Sequence, residues 1–269
     1  MNNLNSNHQV FFGCSDFSGL FRGRAISSKD YLKKLPYGCG WVPADQSLTP
    51  FGEIGPKNPF GSTGDLRLIP DKSAEYKIFK NDSGSPLHFF ISDIKTLKGD
   101  PWECCARNYL KDGIEKLYNL YGIRLKVGFE HEFTIIDHNG NAEPVFSMRA
   151  FRKETKFIDN LASYLSQANI DVENYLPEYG INQFEIPTSP KPALKAADDA
   201  VALREIIKEV ARNCEKKISL SPKISPNSVG NGVHIHLSLF NNDNKDITKD
   251  DNYKNNLSKE CSSFCAGIL

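Results

Sequence analysis

Three short segments of the chain carry closely spaced acidic, amide or imidazole side chains that could hold a metal ion. In each segment the two polar residues are separated by one position. The pairs are Glu130 with Glu132, Gln183 with Glu185, and His234 with His236. Carboxylate oxygens joined by one or two imidazoles suit Mg²⁺ or Mn²⁺ better than structural zinc. The residue types therefore indicate a site for a hard divalent cation.

The spacing within each pair is that of a β-strand, because side chains alternate between the two faces of a strand. The positions expected on the opposite faces are apolar or aromatic: Phe129 and Phe133, Phe184 and Ile186, and Val233, Ile235 and Leu237. Each segment is therefore predicted to be a strand with one apolar face and one face that carries the chemistry.

Crowded carboxylates cost energy, since like charges at short range raise one another's pKa. A bound divalent cation removes this cost if the three strands are neighbours, which periodicity does not show. A Glu-x-Glu pair alone is more often an exposed strand face. A His-x-His pair alone is more often something other than a metal site. The joint occurrence of the segments favours the metal site over a solvated surface.

The elements that carry these segments alternate between strands and helices. Strands are predicted at 124–137, within 173–189 and at 229–240, and helices at 100–121, 151–168, 192–217 and 256–269. The first helix is expected to begin at the Asp100-Pro101 cap and to stop at Gly122. Residues 9–80 are rich in Gly and Pro and predict a small β-rich unit, in which a strand ends at Leu68–Asp71. The predicted class is α+β, with domains at 1–95 and 96–269.

Composition excludes several classes of function. Lys plus Arg and Asp plus Glu both number 33, which gives no reason to expect nucleic acid or an anionic membrane as a partner. No apolar run approaches the ~18 residues of a membrane helix, and residues 1–8 lack the features of a signal peptide. The seven cysteines show no disulfide-like spacing, so a reducing cytoplasm is the expected location.

Two further features lie before the last predicted strand and at the end of the last predicted helix. Gly230-Asn231-Gly232 precedes the histidine strand and could bring backbone close to a ligand, a plain turn being the alternative. The last helix stops at Ala266–Leu269 without a polar terminus, so the chain is expected to be part of a longer one, with a frayed end as the alternative.

Five motifs resemble those of the glutamine synthetase family and occur in the family's order. Residues 128–133 (GFEHEF) resemble its G-x-E-x-E-F strand, 178–185 (EYGINQFE) its E-x-x-P/x-G-Q-x-E segment, and 230–239 (GNGVHIHLSL) its G-N-G-x-H-x-H-x-S-L strand. Residues 16–23 (DFSGLFRG) and 64–71 (GDLRLIPD) are similar to the D-x-x-G-x-x-R-G and D-x-x-L-x-P-D motifs of its N-terminal domain. The His-x-His-x-Ser-Leu and Glu-Tyr-Gly variants resemble most the branch that includes γ-glutamyl-amine ligases as well as glutamine synthetases proper.

The resemblance implies an N-terminal β-grasp domain and part of a catalytic domain with a curved antiparallel sheet and flanking helices. It implies ATP-dependent ligation of glutamate with ammonia or a small amine through γ-glutamyl phosphate. It also implies homo-oligomeric rings, with ATP, glutamate and the amine as ligands. Two metals, Mg²⁺ or Mn²⁺, would serve the positioning and charge neutralisation that phosphoryl transfer needs.

Roles carried over from the family follow its motifs. One metal would be held by Glu132, Glu178 and Glu185, and the second by Glu130 and His234. The nucleotide would lie along His236 and Ser238, and glutamate would lie against Gly230 and Gln183.

Two departures from the family qualify these roles. Asn182 stands where the family has Gly, although Asn also adopts a left-handed backbone. The family's arginines and a further metal ligand lie in a segment that would follow Leu269, so the catalytic residues stay unknown and this chain alone is expected to be inactive. The alternative is a truncated, non-catalytic member that binds glutamate or nucleotide, or acts as an interaction subunit.

Overall fold

The computed structural model describes residues 8–79, 84–136 and 142–269, the side chain of Lys254 excepted. Two compact units are present. The first comprises Met1–Leu110 with Ser163–Asn169 and Val201–Glu209, and the second comprises Lys111–Ala162, Ile170–Ala200 and Val210–Leu269. The predicted boundary between 95 and 96 stays a prediction.

The first unit is built on a five-stranded sheet in the order β2-β1-β5-β4-β3. Its strands are β1 (Gln9–Ser15), β2 (Phe21–Ser27), β3 (Cys39–Trp41), β4 (Leu66–Ile78) and β5 (Leu87–Thr96), with the one-turn helix α1 (Tyr31–Lys34) between β2 and β3. β1 and β5 run parallel at the centre, and the other pairs are antiparallel. The sheet buries Val10, Phe12 and Leu68 completely, which confirms the predicted β-rich unit.

The sequence predicted that this strand ends at Asp71, but β4 continues beyond that residue. Its register against β5 shifts between Pro70 and Glu75, and pairing then continues to Ile78. Such a bulge tolerates a proline, which lacks an N–H for the ladder, without ending the strand.

The second unit is built on a curved sheet around the long strand β6. Its strands are β6 (Arg124–Ile136), β7 (Leu176–Pro177), β8 (Gln183–Pro187), β9 (Lys191–Pro192), β10 (Lys217–Ser219) and β11 (Val233–Phe240). β6 pairs antiparallel with β8, β9, β10 and β11. Because β6 contacts four other strands, it brings residues distant in sequence onto one surface.

The remaining helices are α2 (Ala106–Tyr121), α3 (Met148–Lys153), α4 (Thr155–Gln167), α5 (Ala193–Asn213) and α6 (Lys259–Ala266). The mixture of helices and mainly antiparallel strands confirms the α+β class. In the part of the chain that the structure describes, no helix is long and apolar enough to cross a membrane.

All four predicted helices differ from the observed helices in their bounds, the last two by one to four residues at each end. Helix α2 ends at Tyr121, directly before Gly122, whose φ is +67°, as predicted, but it begins at Ala106 rather than Asp100. Pro101 instead bridges to Lys95, and the Trp102 N–H donates to the Ile94 carbonyl. The helix predicted at 151–168 is two helices, separated at Glu154.

Candidate metal centre

Strand β6 places its two acids opposite the polar residues of both neighbouring strands. Glu130 is the cross-strand partner of His234 on β11, and Glu132 is the partner of Glu185 on β8. Partners in an antiparallel pair project from the same face of the sheet. The structure therefore provides the adjacency of the three segments that their periodicity left open.

The carboxylate of Glu130 lies between the two imidazoles of β11. Its Oε2 is 3.1 Å from Nδ1 of His234, and its Oε1 is 2.9 Å from Nε2 of His236. Glu130, Glu185 and His234 each offer one ligand atom, and these atoms lie within 4.8 Å of one another. A carboxylate-rich set with one imidazole at this spacing fits a hard divalent cation such as Mg²⁺ or Mn²⁺.

Glu185 is the most buried acid of the cluster, with 7% of its surface exposed. Burial raises its pKa above the ordinary glutamate range, and the charges of Glu130, Glu178 and Glu132 raise it further. His234 acts in the opposite direction, its Nδ1 lying 4.0 Å from Oε2 of Glu185. A bound cation would relieve this repulsion and keep the acids ionised.

The carboxylates of Glu132 and Glu178 lie at the edge of this cluster and already have protein partners. Oε2 of Glu132 accepts a hydrogen bond of 2.7 Å from the Gln183 side chain. Glu178 directly follows β7, and its Oε2 accepts from the Tyr179 N–H at 2.9 Å. Both acids are close enough to raise the pKa of Glu185.

The tight group of Glu130, Glu185 and His234 includes members of both predicted metal sets. The division of the five ligands between two metals stays a prediction.

The residues predicted to bind substrates occupy two places around the acids. His236 and Ser238 follow His234 on the same face of β11, opposite Gly128 and Lys126. The Gly230 carbonyl accepts a 2.7 Å hydrogen bond from the Gln183 side chain. The roles of these residues towards ATP and glutamate stay predictions.

The opposite faces of the three strands differ in burial. Phe133, Phe184 and Ile186 are buried. Val233 and Ile235, on the apolar face of β11, are 51% and 55% exposed. Alternation predicts which face a residue shares, whereas its burial depends on what packs against that face.

A polar network beneath the acids was not predicted from the sequence. The Asn231 Oδ1 accepts from the side chains of Thr134 and Gln183, at 3.0 and 2.9 Å. The Asn231 Nδ2 donates to the Ser221 carbonyl at 2.9 Å. The Gly230-Asn231-Gly232 motif was the available signal, since it indicated a close backbone approach.

Family models match both parts of the chain. The model described as "Glutamine synthetase N-terminal domain" matches residues 2–102, and "Glutamine synthetase, catalytic domain" matches residues 103–269. The chain belongs to the glutamine synthetase family, which confirms the resemblance predicted from the five motifs.

Curated relatives cover nearly the whole chain but are themselves longer. Gamma-glutamylpolyamine synthetase GlnA3 of Streptomyces coelicolor is 26% identical over 97% of this chain and 57% of its own length. Glutamate–isopropylamine ligase of a Pseudomonas species is 26% identical over 97% of this chain and 60% of its own length. The chain therefore spans somewhat more than half the length of these relatives.

A solved structure confirms the fold. The crystal structure of a novel glutamine synthase homolog matches with a TM-score of 0.93 and 36% identity, covering 100% of this chain and 64% of that one. The N-terminal unit and the curved catalytic sheet are accordingly those of the family, as the motifs implied.

Proposed function

We propose that this chain forms the N-terminal part of an enzyme that ligates glutamate to ammonia or a small amine, using ATP and passing through γ-glutamyl phosphate. The observation that carries the proposal is the convergence of Glu130, Glu185 and His234 on one point, in a chain of this family. Relatives named as glutamine synthetases, a γ-glutamylpolyamine synthetase and a glutamate–isopropylamine ligase support the reaction class.

Divalent metal is part of this proposal, with Mg²⁺ or Mn²⁺ as the ion. Glu130, Glu185 and His234 would hold it, and Glu132 and Glu178 adjoin them. The ion would supply positive charge next to the phosphoryl group during its transfer. The mainly oxygen donor set supports this choice of ion.

The protein groups around the acids would orient the substrates. His236 is fixed by Glu130 and, with Ser238, would lie along the nucleotide. The Gly230 backbone and Gln183 would lie on the glutamate side. A homo-oligomeric ring of the complete protein, as the family resemblance implies, belongs to the same proposal.

The test measures phosphate release by the complete product of the gene that encodes this chain. Mg²⁺ and ATP are supplied with glutamate and, in separate reactions, ammonia, isopropylamine or a polyamine. Release that needs glutamate, an amine and the metal together supports the proposal. If a protein that still binds Mn²⁺ and ATP released no phosphate with any of the amines tested, the result would instead favour the non-catalytic alternative.

The metal site is tested separately by titrating this chain with Mn²⁺ and measuring heat. Glu185→Ala should abolish binding. Glu205→Ala is the matched control, because Glu205 is a helical glutamate paired with Lys208 at 2.7 Å and takes no part in the cluster. Equal Mn²⁺ binding by both variants and the wild type would contradict the proposed site.

A further inference from the structure

Gln183 is buried directly behind the acids. It is the first residue of β8 and only 2% of its surface is exposed. Its cross-strand partner is Thr134 on β6, which places its side chain on the same face as Glu132 and Glu185. A buried amide must have its donors and acceptor satisfied, so its contacts identify what it does in the fold.

Both polar atoms of the Gln183 amide are occupied by protein groups. Nε2 carries two hydrogens and lies within hydrogen-bonding distance of three acceptors, one hydrogen being shared: Oε2 of Glu132 at 2.7 Å, the Gly230 carbonyl at 2.7 Å and Oδ1 of Asn231 at 2.9 Å. Oε1 accepts from the Gly180 N–H at 2.8 Å. A carboxylate and a carbonyl can only accept, and an N–H can only donate, so these neighbours fix which end of the amide is nitrogen.

These hydrogen bonds join three segments, each of which carries a predicted metal ligand. Glu132 lies on β6, Gly180 lies two residues after Glu178, and Gly230 and Asn231 precede the strand of His234. A glutamine suits this position because a single side chain both donates and accepts, and reaches all three segments.

The turn at Gly180 is shaped around the same amide. The backbone N–H of Gln183 donates to the Gly180 carbonyl at 3.1 Å, while the Gly180 N–H donates to the Gln183 side chain. A Cβ added to Gly180 would lie 2.5 Å from Oε1 of Gln183, so either the turn or the Gln183 side chain would have to shift. The position of the turn that follows Glu178 is therefore coupled to Gln183.

The other oxygen of Glu132 points towards the histidine strand. A Cβ added to Gly232 would lie 3.1 Å from Oε1 of Glu132 and 3.4 Å from Nε2 of His234, so these two atoms border the same space. With Oε2 held by Gln183, Oε1 is presented on the side of His234. A hydrogen bond to one oxygen of a ligating carboxylate orients the other towards the metal.

We propose that Gln183 is a positioning residue of the metal centre, which aligns Glu132, the turn after Glu178 and the loop before His234 so that their ligands converge. This inference rests on the proposed metal-dependent function. It assigns Gln183 a role that acts through other residues and is separate from the contact with glutamate that the family resemblance implies.

The test titrates Mn²⁺ alone into the wild type, Gln183→Leu and Gln183→Asn, with folding checked by circular dichroism. Leu removes the donor and acceptor at similar size, and Asn keeps the amide but is one methylene too short to reach every partner. Both should weaken Mn²⁺ binding by about 10- to 100-fold, as loss of groups that orient metal ligands does. Gln183→Asn keeps the test decisive if Gln183→Leu does not fold.

The matched control is Gln46→Leu, in the first unit. Gln46 is also fully buried and its amide is also bonded at both ends, with Nε2 donating to the Ser15 carbonyl and Oε1 accepting from Trp41 at 3.4 Å. Its substitution should lower thermal stability and leave the Mn²⁺ affinity of the folded protein unchanged.

A double-mutant cycle separates positioning from general damage. If Gln183 acts mainly through Glu132, Gln183→Leu should weaken Mn²⁺ binding less than about threefold in a Glu132→Ala background, because interacting residues are not additive. Full additivity, or wild-type affinity in folded Gln183→Leu, overturns the inference while the wild type still binds. A wild type that binds no Mn²⁺ overturns the proposed metal site as well.

Discussion

Glu130 and His234 are direct cross-strand partners, and the same Glu130 carboxylate also contacts His236 two residues further along β11. One side chain of β6 therefore orients both imidazoles of the neighbouring strand. Glu130 is also the first of the charges that raise the pKa of the buried Glu185. Glu130 therefore interacts both with the exposed histidines of β11 and with the buried Glu185.

Replacement of Glu130 by Ala should therefore weaken Mn²⁺ binding more than tenfold. The substitution removes one ligand and leaves His234 and His236 without the carboxylate that orients them. Calorimetric titration with Mn²⁺ measures the loss, with Glu205→Ala as the control. An unchanged dissociation constant for Mn²⁺ would show that these acidic and histidine side chains do not form a metal site.

Glu185→Gln should stabilise the metal-free protein while impairing metal binding. Burial and three neighbouring acids raise the pKa of Glu185, which means that its ionised form costs folding energy when no cation is bound. Removing that charge should raise the free energy of unfolding by about 1 kcal/mol in EDTA, a typical gain for relief of a strained functional site. Urea denaturation in EDTA and in Mn²⁺ measures both effects. A loss of stability in EDTA would contradict the electrostatic account.

Strand alternation predicted correctly which side chains share the functional face. Glu130 with Glu132 and His234 with His236 were assigned to one face from the period of two alone. That β6 lies between β8 and β11 was not predicted, because strand pairing is a long-range property that periodicity does not show. The exposure of Val233 and Ile235 likewise depends on what packs against β11, which the local sequence does not determine.

The prediction of helix boundaries was wrong where tertiary contacts outweighed local sequence signals. Asp100-Pro101 has the residues of a helix start, but Trp102 packs against the hydrophobic core of the first unit and its N–H bonds to Ile94. The break at Glu154 coincides with a buried carboxylate paired with Lys216 at 2.7 Å. Neither partner is visible in the local sequence.

Gly232→Ala should weaken metal binding with little effect on folding. A Cβ there would lie 3.1 Å from Oε1 of Glu132, which would have to shift by a few tenths of an ångström, and in van der Waals contact with Nε2 of His234 at 3.4 Å. We expect Mn²⁺ affinity to weaken by about three- to tenfold, less than the roughly 10- to 100-fold loss that follows removal of a group that orients a metal ligand, because the ligand is displaced and not lost. Thermal unfolding in EDTA should be close to that of the wild type.

The control for this change is Gly113→Ala in α2, where an added Cβ would meet no atom within 4 Å. Ala in place of Gly inside a helix should raise stability by about 0.5–1 kcal/mol, with no change in Mn²⁺ affinity. A Gly232→Ala protein that binds Mn²⁺ like Gly113→Ala would show that the space beside Gly232 is not needed by the ligands.

Replacement of Asn182 by Gly should destabilise the protein less than replacement by Ala. Its φ of +55° confirms the left-handed backbone expected at this departure from the family motif, and its side chain accepts from Lys153 at 3.0 Å. Ala pays the left-handed penalty of about 1–2 kcal/mol, whereas Gly does not. Urea denaturation should therefore show Asn182→Ala to be about 1 kcal/mol less stable than Asn182→Gly. Equal stability of the two variants would contradict the backbone argument.

Asp71 should stabilise the first unit at neutral pH and lose this effect in acid. Burial alone would raise its pKa, but hydrogen bonds from Ser73 and the ion pair with Arg107, at 2.9 Å, hold the pKa well below the ordinary range. A carboxyl whose pKa is lower in the folded than in the unfolded protein stabilises the folded state. This contribution is complete above the unfolded pKa of about 3.9 and is lost progressively as the pH falls below that value.

Asp71→Asn should accordingly lower the free energy of unfolding by about 1–2 kcal/mol at pH 7, because Asn keeps an acceptor for Ser73 but not the charge opposite Arg107. The difference from the wild type should shrink when urea denaturation is repeated at pH 3. Asp251→Asn is the control, since Asp251 and Lys249 form an exposed pair, 72% and 68% accessible, whose loss should cost under about 0.5 kcal/mol at either pH. A difference for Asp71→Asn that stays constant between pH 7 and pH 3 would mean that packing, and not the ionised carboxylate, accounts for its effect.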